Sequence, residues 1–311
     1  MSGRDAGEPG VLGVRGIRVA FGHTVALDGV TLAVPAGQVT AIVGGDGAGK
    51  STLLRVLAGR VGVHQGQVST LAKGEIGYQP SSSGVWGSLT VDENIAFVGQ
   101  AYGMAARAVR SRAAELLDRA GLADARGRLG RELSGGMRQK LGFVLAVLHA
   151  PRLVLLDEPS TGVDPVSRVE LWRLIAEAAG EHTAVLMATT YLDEAARAAS
   201  VTALDAGVVI GAGTPEQIVA AVPGRIVVTD RPTPDSWRRG IVRHRWLRPD
   251  SPDATEEGGA PVAPDLEDAL IALTLAREPV RELPREPGAA SPTARREAAR
   301  PPAATASAGS A

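Results

Sequence analysis

Short, nearly continuous apolar runs recur along the first two-thirds of the chain, separated by longer stretches in which apolar residues return every three or four positions. Gln38-Val39-Thr40-Ala41-Ile42-Val43, Leu153-Val154-Leu155-Leu156 and Ala184-Val185-Leu186-Met187 have the density of strands buried on both faces. Ile17 to Phe21 and Val30 to Val34 predict a β-rich opening across Val14 to Val34, closed by Pro35-Ala36-Gly37. Gln67 to Leu71 and Glu75 to Tyr78 predict two further strands. Helical spacing begins with Leu53, Leu54, Val56 and Leu57, stops near Gly59, and returns over Val91 to Tyr102, Ala105 to Ala120 and Ser134 to His149. On the last of these, Met137, Leu141, Val144, Leu145 and Leu148 share one face. Pro165 to Ala179 and Leu192 to Ala198 are predicted helices as well. Strands alternating with helices predict an α/β fold: a parallel sheet covered on both faces, an amino-terminal antiparallel β subdomain, and an inserted helical subdomain over about residues 90–150.

Composition changes this picture in a few places. Aromatics are 3% of the chain against 44% hydrophobic residues overall, so Ala, Val and Leu must do the packing. The net charge of −1 exerts no global pull toward nucleic acid, and none is expected as a partner. With no cysteine, disulfides, thiolate metal sites and thiol nucleophiles are excluded, and the five histidines show no metal-ligand spacing. Met1 to Gly10 lacks the apolar core of a signal peptide, and no apolar run approaches the roughly 18 residues of a membrane span. The expected location is therefore cytoplasmic, with membrane contact made through a partner.

Beyond about Ala221 the chain turns to Pro, Arg, Asp and Glu. The basic stretch Trp237 to Trp246, with its interleaved tryptophans, could touch a membrane surface or a polyanion, but a solvated strand face is the favoured reading. Asp265 is expected to cap a short helix with Leu266, Leu270 and Leu273 on one face. The expected organisation is a disordered amino terminus (1–12), a main domain (13–221), a carboxyl-terminal appendage (222–286) and a disordered Ala/Pro/Ser/Arg tail (287–311).

The candidate chemistry starts at Gly44-Gly45-Asp46-Gly47-Ala48-Gly49-Lys50-Ser51-Thr52, which has the G-x-x-x-x-G-K-[ST] spacing of a phosphate-binding loop between a buried strand and a helix. The glycines let backbone N–H groups turn inward around an anion, and the helix start adds the positive end of its dipole. Lys50 would meet the outer phosphates of a nucleotide triphosphate and Ser51 would ligate Mg²⁺. Further on, Leu133-Ser134-Gly135-Gly136-Met137-Arg138-Gln139 opens a helix, where Ser134 is either an N-cap or part of an anion site made with the Gly135 and Gly136 amides. Leu153 to Pro159 then ends a buried strand in paired carboxylates, costly unless they have a task. Asp157 would hold Mg²⁺ through water and Glu158 would polarise an attacking water. Phe21, just before Gly22 at a strand end, is either a core residue or a ring that stacks on adenine.

Taken together and in this order, the motifs resemble those of the ATP-binding-cassette (ABC) transporter ATPases from about Val14 to Ala221, which implies a P-loop NTPase parallel-sheet core. The resemblance implies ATP and Mg²⁺ as ligands and Phe21 as the adenine-stacking aromatic. It further implies Ser134 to Gly136 as a signature that contacts the nucleotide of a second subunit, and Asp164 as a loop aspartate at that interface. Leu89 to Asn94, Gly162 to Arg168, Tyr191 to Ala195 and Leu266 to Thr274 are similar to the ATPases of drug-type exporters. That implies an integral-membrane permease partner, a dimer through ATP with itself or a second ATPase, and a peripheral position on the inner face of the cell membrane.

Two positions depart from the family. Ser81 stands where a glutamine usually follows the proline, with Gln79 two residues earlier. Thr190 stands where a histidine usually contacts the γ-phosphate, and threonine cannot carry positive charge. The leading expectation is an exporter's ATP-hydrolysing subunit. A catalytically slow ATP-binding partner and a soluble non-transport ATPase are the alternatives.

Overall fold

The computed structural model describes residues 11–180, 182–249 and 259–277. Most of the amino terminus and all of the tail expected to be disordered lie outside these residues. The opening is antiparallel: β1 (Leu12–Phe21) pairs with β2 (Thr24–Val34) on one side and β4 (Gln65–Ser69) on the other. Between them in sequence lie β3 (Val39–Val43) and α1 (Lys50–Leu57).

The central sheet has six strands in the order β5 (Ile76–Gln79), β6 (Leu153–Asp157), β7 (Ala184–Thr189), β3, β8 (Ser200–Asp205), β9 (Val208–Gly213). The first five are parallel and β9 returns antiparallel. Every residue of β3, β6 and β7 is buried, which is why these strands read as unbroken apolar runs. Alternation sorts their side chains between the faces: Ile42, Leu155 and Leu186 pack with α1 and the antiparallel sheet, while Val154, Leu156, Val185 and Met187 pack with helices on the other side.

Those helices include α4 (Gly135–Val147) and α5 (Pro165–Ala178), whose Leu141, Val144, Leu171 and Ile175 lie in that core. Helices α2 (Val91–Ala101) and α3 (Ala106–Arg119) extend it outward. Thr90 opens α2 with a capping box: its hydroxyl accepts from Glu93 N, and the Glu93 carboxylate accepts from Thr90 N at 2.7 Å.

The predicted helix from Leu192 stops early: α6 spans Leu192–Ala195, because Ala199 N donates to Val39 O at 3.0 Å and draws the chain into β8. Past the sheet, α7 (Pro215–Ala220) leads to a second antiparallel sheet of β10 (Arg225–Thr229), β12 (Val242–Leu247) and β11 (Ser236–Arg239), in that order. Helix α8 (Leu266–Arg277) closes the described chain, and Asp265 caps it by accepting from Asp268 N at 2.9 Å. The basic tryptophan stretch is thus a pair of strands, but its aromatic face is not solvated. Trp246 is buried beside Ile226 and Ala272, and Trp237 Nε1 donates to the buried Asp268 at 3.0 Å. Arg239 is held too, pairing with Asp265 and Glu267 at the start of α8.

Candidate functional site

The loop from β3 to α1 is glycine-rich because its backbone runs against other backbone. A Cβ on Gly44 would sit 2.3 Å from Leu204 O, and one on Gly49 would sit 2.7 Å from Ala26 O. Both glycines also hold positive φ, 156° and 103°. Gly49 is the N-cap of α1 and offers no side-chain acceptor, so the first-turn N–H groups remain available to an anion. Asp46 and Gly47 are exposed at the loop's outer turn, Ala48 is buried, and Thr52 lies in the first turn of α1.

Lys50 is 5% exposed, and its ammonium folds back over the loop, donating to Gly44 O at 2.8 Å and Gly45 O at 3.1 Å. The same Nζ lies 3.3 Å from Glu158 Oε1. Ser51 donates its hydroxyl to Asp157 Oδ1 at 2.8 Å, joining α1 to the end of β6 across 106 residues of sequence. Glu158, the first residue after β6, takes a left-handed φ of 50° and donates its N–H to Ala188 O of β7. Its carboxylate is steadied by Thr161 Oγ1, which donates to Oε2 at 3.0 Å. A lysine, a hydroxyl and two carboxylates therefore converge where β3 and β6 end.

Three partners in this cluster escape sequence reading. Tyr78 of β5 donates to Asp157 Oδ2 at 3.5 Å; burial first, and then the Asp157 charge, raise its pKa, so the phenol stays a donor. Thr161 is the second. The third is the pair Thr189–Glu194: the Thr189 hydroxyl donates to the buried Glu194 carboxylate at 2.8 Å and accepts from Tyr191 N at 3.0 Å. This pins the turn that carries Thr190, which is exposed and shares a cavity of about 360 Å³ with Gly44 and Gly45. Only the Tyr78–Asp157 contact depends on which strands become neighbours; the other two are local turns that close at the ends of β6 and β7.

Phe21, at the open end of β1, is 54% exposed, so its ring is free to meet a planar ligand. Ser134 is the N-cap of α4 and accepts from Met137 N at 3.2 Å. Gly135 and Gly136 are required here: a Cβ on the first would lie 2.9 Å from Gly162 O, and on the second 2.7 Å from Ser167 Cβ and Oγ. Asp164 caps α5 by accepting from Val166 N and Ser167 N, and the Ser167 N–H holds its carboxyl below the usual range. Ser134 to Gly136 and Asp164 thus form one group and Gly44 to Thr52 another. Among the described residues no hydrogen bond or ion pair joins the two. Gln79, near the departures from the expected pattern, is fully buried and bonds to Gln139 of α4, while Ser81 is exposed.

The Ser51 hydroxyl and Asp157 carboxylate are hard oxygen donors within 2.8 Å of each other, a donor set that suits a divalent cation such as Mg²⁺. Among the described residues no cluster of three or more His, Cys, Asp or Glu could hold a metal, so most ligands would come from water and phosphate oxygens.

A family model described as ABC transporter matches residues 27–161. The Escherichia coli (strain K12) protein named "Probable multidrug ABC transporter ATP-binding protein YbhF" is 37% identical over 209 residues, 64% of this chain and 36% of that one. This chain thus spans about a third of that relative's length. The daunorubicin resistance ATP-binding protein DrrA2 of Streptomyces coeruleorubidus is 34% identical over 278 residues, 84% of this chain and 86% of that protein. Among solved structures, an ATP-binding subunit of an ABC transporter superposes with a TM-score of 0.62 at 27% identity, over 68% of this chain and 92% of that one.

Proposed function

Because the chain belongs to the ABC transporter ATP-binding family, we propose that it binds and hydrolyses ATP as one subunit of an exporter, driving a small molecule or drug through a separate membrane permease. One observation carries the chemistry: Lys50, Ser51, Asp157 and Glu158 meet within 3.3 Å contacts at the strand ends. In this reading an arriving γ-phosphate takes Lys50 Nζ from the carbonyls of Gly44 and Gly45, leaving the loop N–H groups to the phosphates. Ser51 and Asp157 hold Mg²⁺, which neutralises phosphate charge. Glu158, aimed by Thr161 and freed from Lys50, accepts a proton from the attacking water.

The separation of Ser134–Gly136 from the chain's own phosphate loop supports a dimer in which each signature closes on the other subunit's nucleotide. Among the described residues no helix is long and apolar enough to cross a membrane, which fits a subunit held at the inner face of the membrane by the permease. A second reading, an ATP-binding partner that hydrolyses slowly beside a more active subunit, is favoured by Thr190 and Ser81. Gln79 does not make up for Ser81, because its side chain is fully buried and held against Gln139 of α4.

Two variants test the proposal. Lys50→Ala should abolish ATP binding at micromolar nucleotide in a protein that unfolds as cooperatively as the parent; unchanged affinity would end this reading. Glu158→Gln should accumulate an ATP-bound dimer in size-exclusion chromatography, and a chain that stays monomeric with ATP would remove the homodimer.

A further inference from the structure

At the end of β5, where Ile76, Gly77 and Tyr78 lead into the Pro80 turn, Gln79 carries an amide with no solvent exposure. The amide crosses to α4, its Nε2 donating to Gln139 Oε1 at 2.7 Å and to Gln139 O at 3.2 Å. Gln139, itself 7% exposed, donates its own Nε2 to Ser81 O at 3.5 Å. One helical turn on, the backbones are nearly in contact: a Cβ on Gly142 would lie 2.4 Å from Ser83 O and 3.1 Å from Gln79 Nε2. The turn that α4 touches is itself tight, closed by Ser83 N donating to Pro80 O at 2.8 Å, with Ser83 and Gly84 at φ 69° and 72°.

The far end of the same segment is fastened as firmly. Buried Asn94 of α2 accepts from Trp86 N at 2.8 Å and donates to Trp86 O and Leu89 O. Residues 79–90 are therefore tied to α4 at one end and α2 at the other, where Trp86 packs edge-on against Phe97 of α2, their rings 4.6 Å apart and each about half exposed.

An apolar side chain would fill the place of Gln79 without burying an amide, and Gln79 Oε1 has no protein partner. Apolar packing tolerates sliding, whereas an amide pair fixes both distance and direction. Gln139 lies only four residues beyond Gly135, on the same rigid helix that Ser134 caps. We infer that the Gln79–Gln139 pair is a positioning joint that moves the 80–89 segment and the Ser134–Gly136 signature as one body. Closure on a second subunit's nucleotide depends on it, and the affinity of the chain's own phosphate loop does not. The inference rests on the dimer reading above.

The full-length chain tests this with Gln79→Leu, Gln139→Leu and the double variant, each also made with Glu158→Gln. A fluorescent ATP analogue, titrated at protein concentrations too low for dimerisation, should bind within twofold of the parent. The ATP concentration that gives half-maximal dimer should rise at least tenfold in each single variant and no further in the double, since both break one joint. Gln79→Glu, which turns a buried carboxylate toward Gln139 O and Oε1 where the parent amide donates, should lose at least as much as Gln79→Leu. Parental dimerisation by a folded Gln79→Leu, or losses that add in the double variant, would overturn the joint.

If Glu158→Gln alone never dimerises, the homodimer is lost and the joint is judged by hydrogen exchange. Gln79→Leu should then speed exchange at residues 81–84 and 134–139 together and leave 50–57 unchanged. Unchanged exchange at 134–139 would refute the joint. Should Gln79→Leu not fold, Gln139→Leu carries the same readouts.

Discussion

Replacing Thr190 with histidine asks whether the site lacks a single donor. Thr190 follows the last residue of β7, and its backbone direction is set by Thr189, whose hydroxyl is held between Glu194 Oε2 and Tyr191 N. The residue lines the same cavity as Gly44 and Gly45, so a histidine at this Cα is expected to come within reach of phosphates held by that loop. One preorganised donor aimed at developing charge is worth about 2.7–4 kcal/mol, or roughly 10²–10³ in rate. Exposure of position 190 and the missing glutamine at position 81 discount that figure, leaving an expected gain of at least about tenfold in steady-state ATP hydrolysis. ATP affinity should change little, because the gain lies in the transition state. The assay is phosphate release at saturating Mg-ATP, with nucleotide affinity measured on the same preparations. Thr190→His combined with Ser81→Gln should exceed either alone. A double variant no faster than the parent would refute the argument that Thr190 is the deficit.

Other perturbations read different parts of the site. Gly136→Ala places a Cβ 2.7 Å from Ser167 Cβ and should cost about 1–3 kcal/mol in urea unfolding, with Ser167→Gly in the same chain restoring most of it. Tyr78→Phe removes a long hydrogen bond to Asp157, so the Mg²⁺ concentration for half-maximal hydrolysis should rise by less than about tenfold, the low end for an outer partner of a metal ligand. Asp164 has a folded pKa below its unfolded value, so its capping contribution is fully present above the unfolded pKa and is lost as pH falls through the folded one. The stability deficit of Asp164→Ala against the parent should therefore be constant at neutral pH and shrink below about pH 4, followed by denaturant titrations at each pH.

The parts of this molecule legible from sequence are those whose physics is local. β3, β6 and β7 are buried on both faces and so had to be written as apolar runs. Gly44 and Gly49 lie where backbone presses on backbone, which leaves no choice of residue. β9 is hard to read because it is an antiparallel edge strand whose residues are half-buried or exposed, without clean alternation. By contrast β8, with Val201 to Leu204 buried, and α7, with its Thr214–Gln217 capping box, carry local signals that the sequence reading passes over. The inward turn of Trp237 and Trp246 depends on α8, whose Asp268 lies 31 residues from Trp237. Gln79 and Gln139 are 60 residues apart, and nothing in either neighbourhood shows that the two amides meet.

The folded-back posture of Lys50 bears on how the site responds to ionic strength. A surface lysine attracts phosphate through solvent, and dissolved salt screens it over a Debye length of about 10 Å at 0.1 M. Here the ammonium is 5% exposed and rests on two carbonyls and a carboxylate, so counter-ions cannot gather around it. Much of its water was already stripped when the chain folded, and an incoming phosphate exchanges one set of oxygens for another instead of displacing a hydration shell. Nucleotide capture at such a loop should be nearly indifferent to salt, keeping its grip where an open cationic patch would lose it.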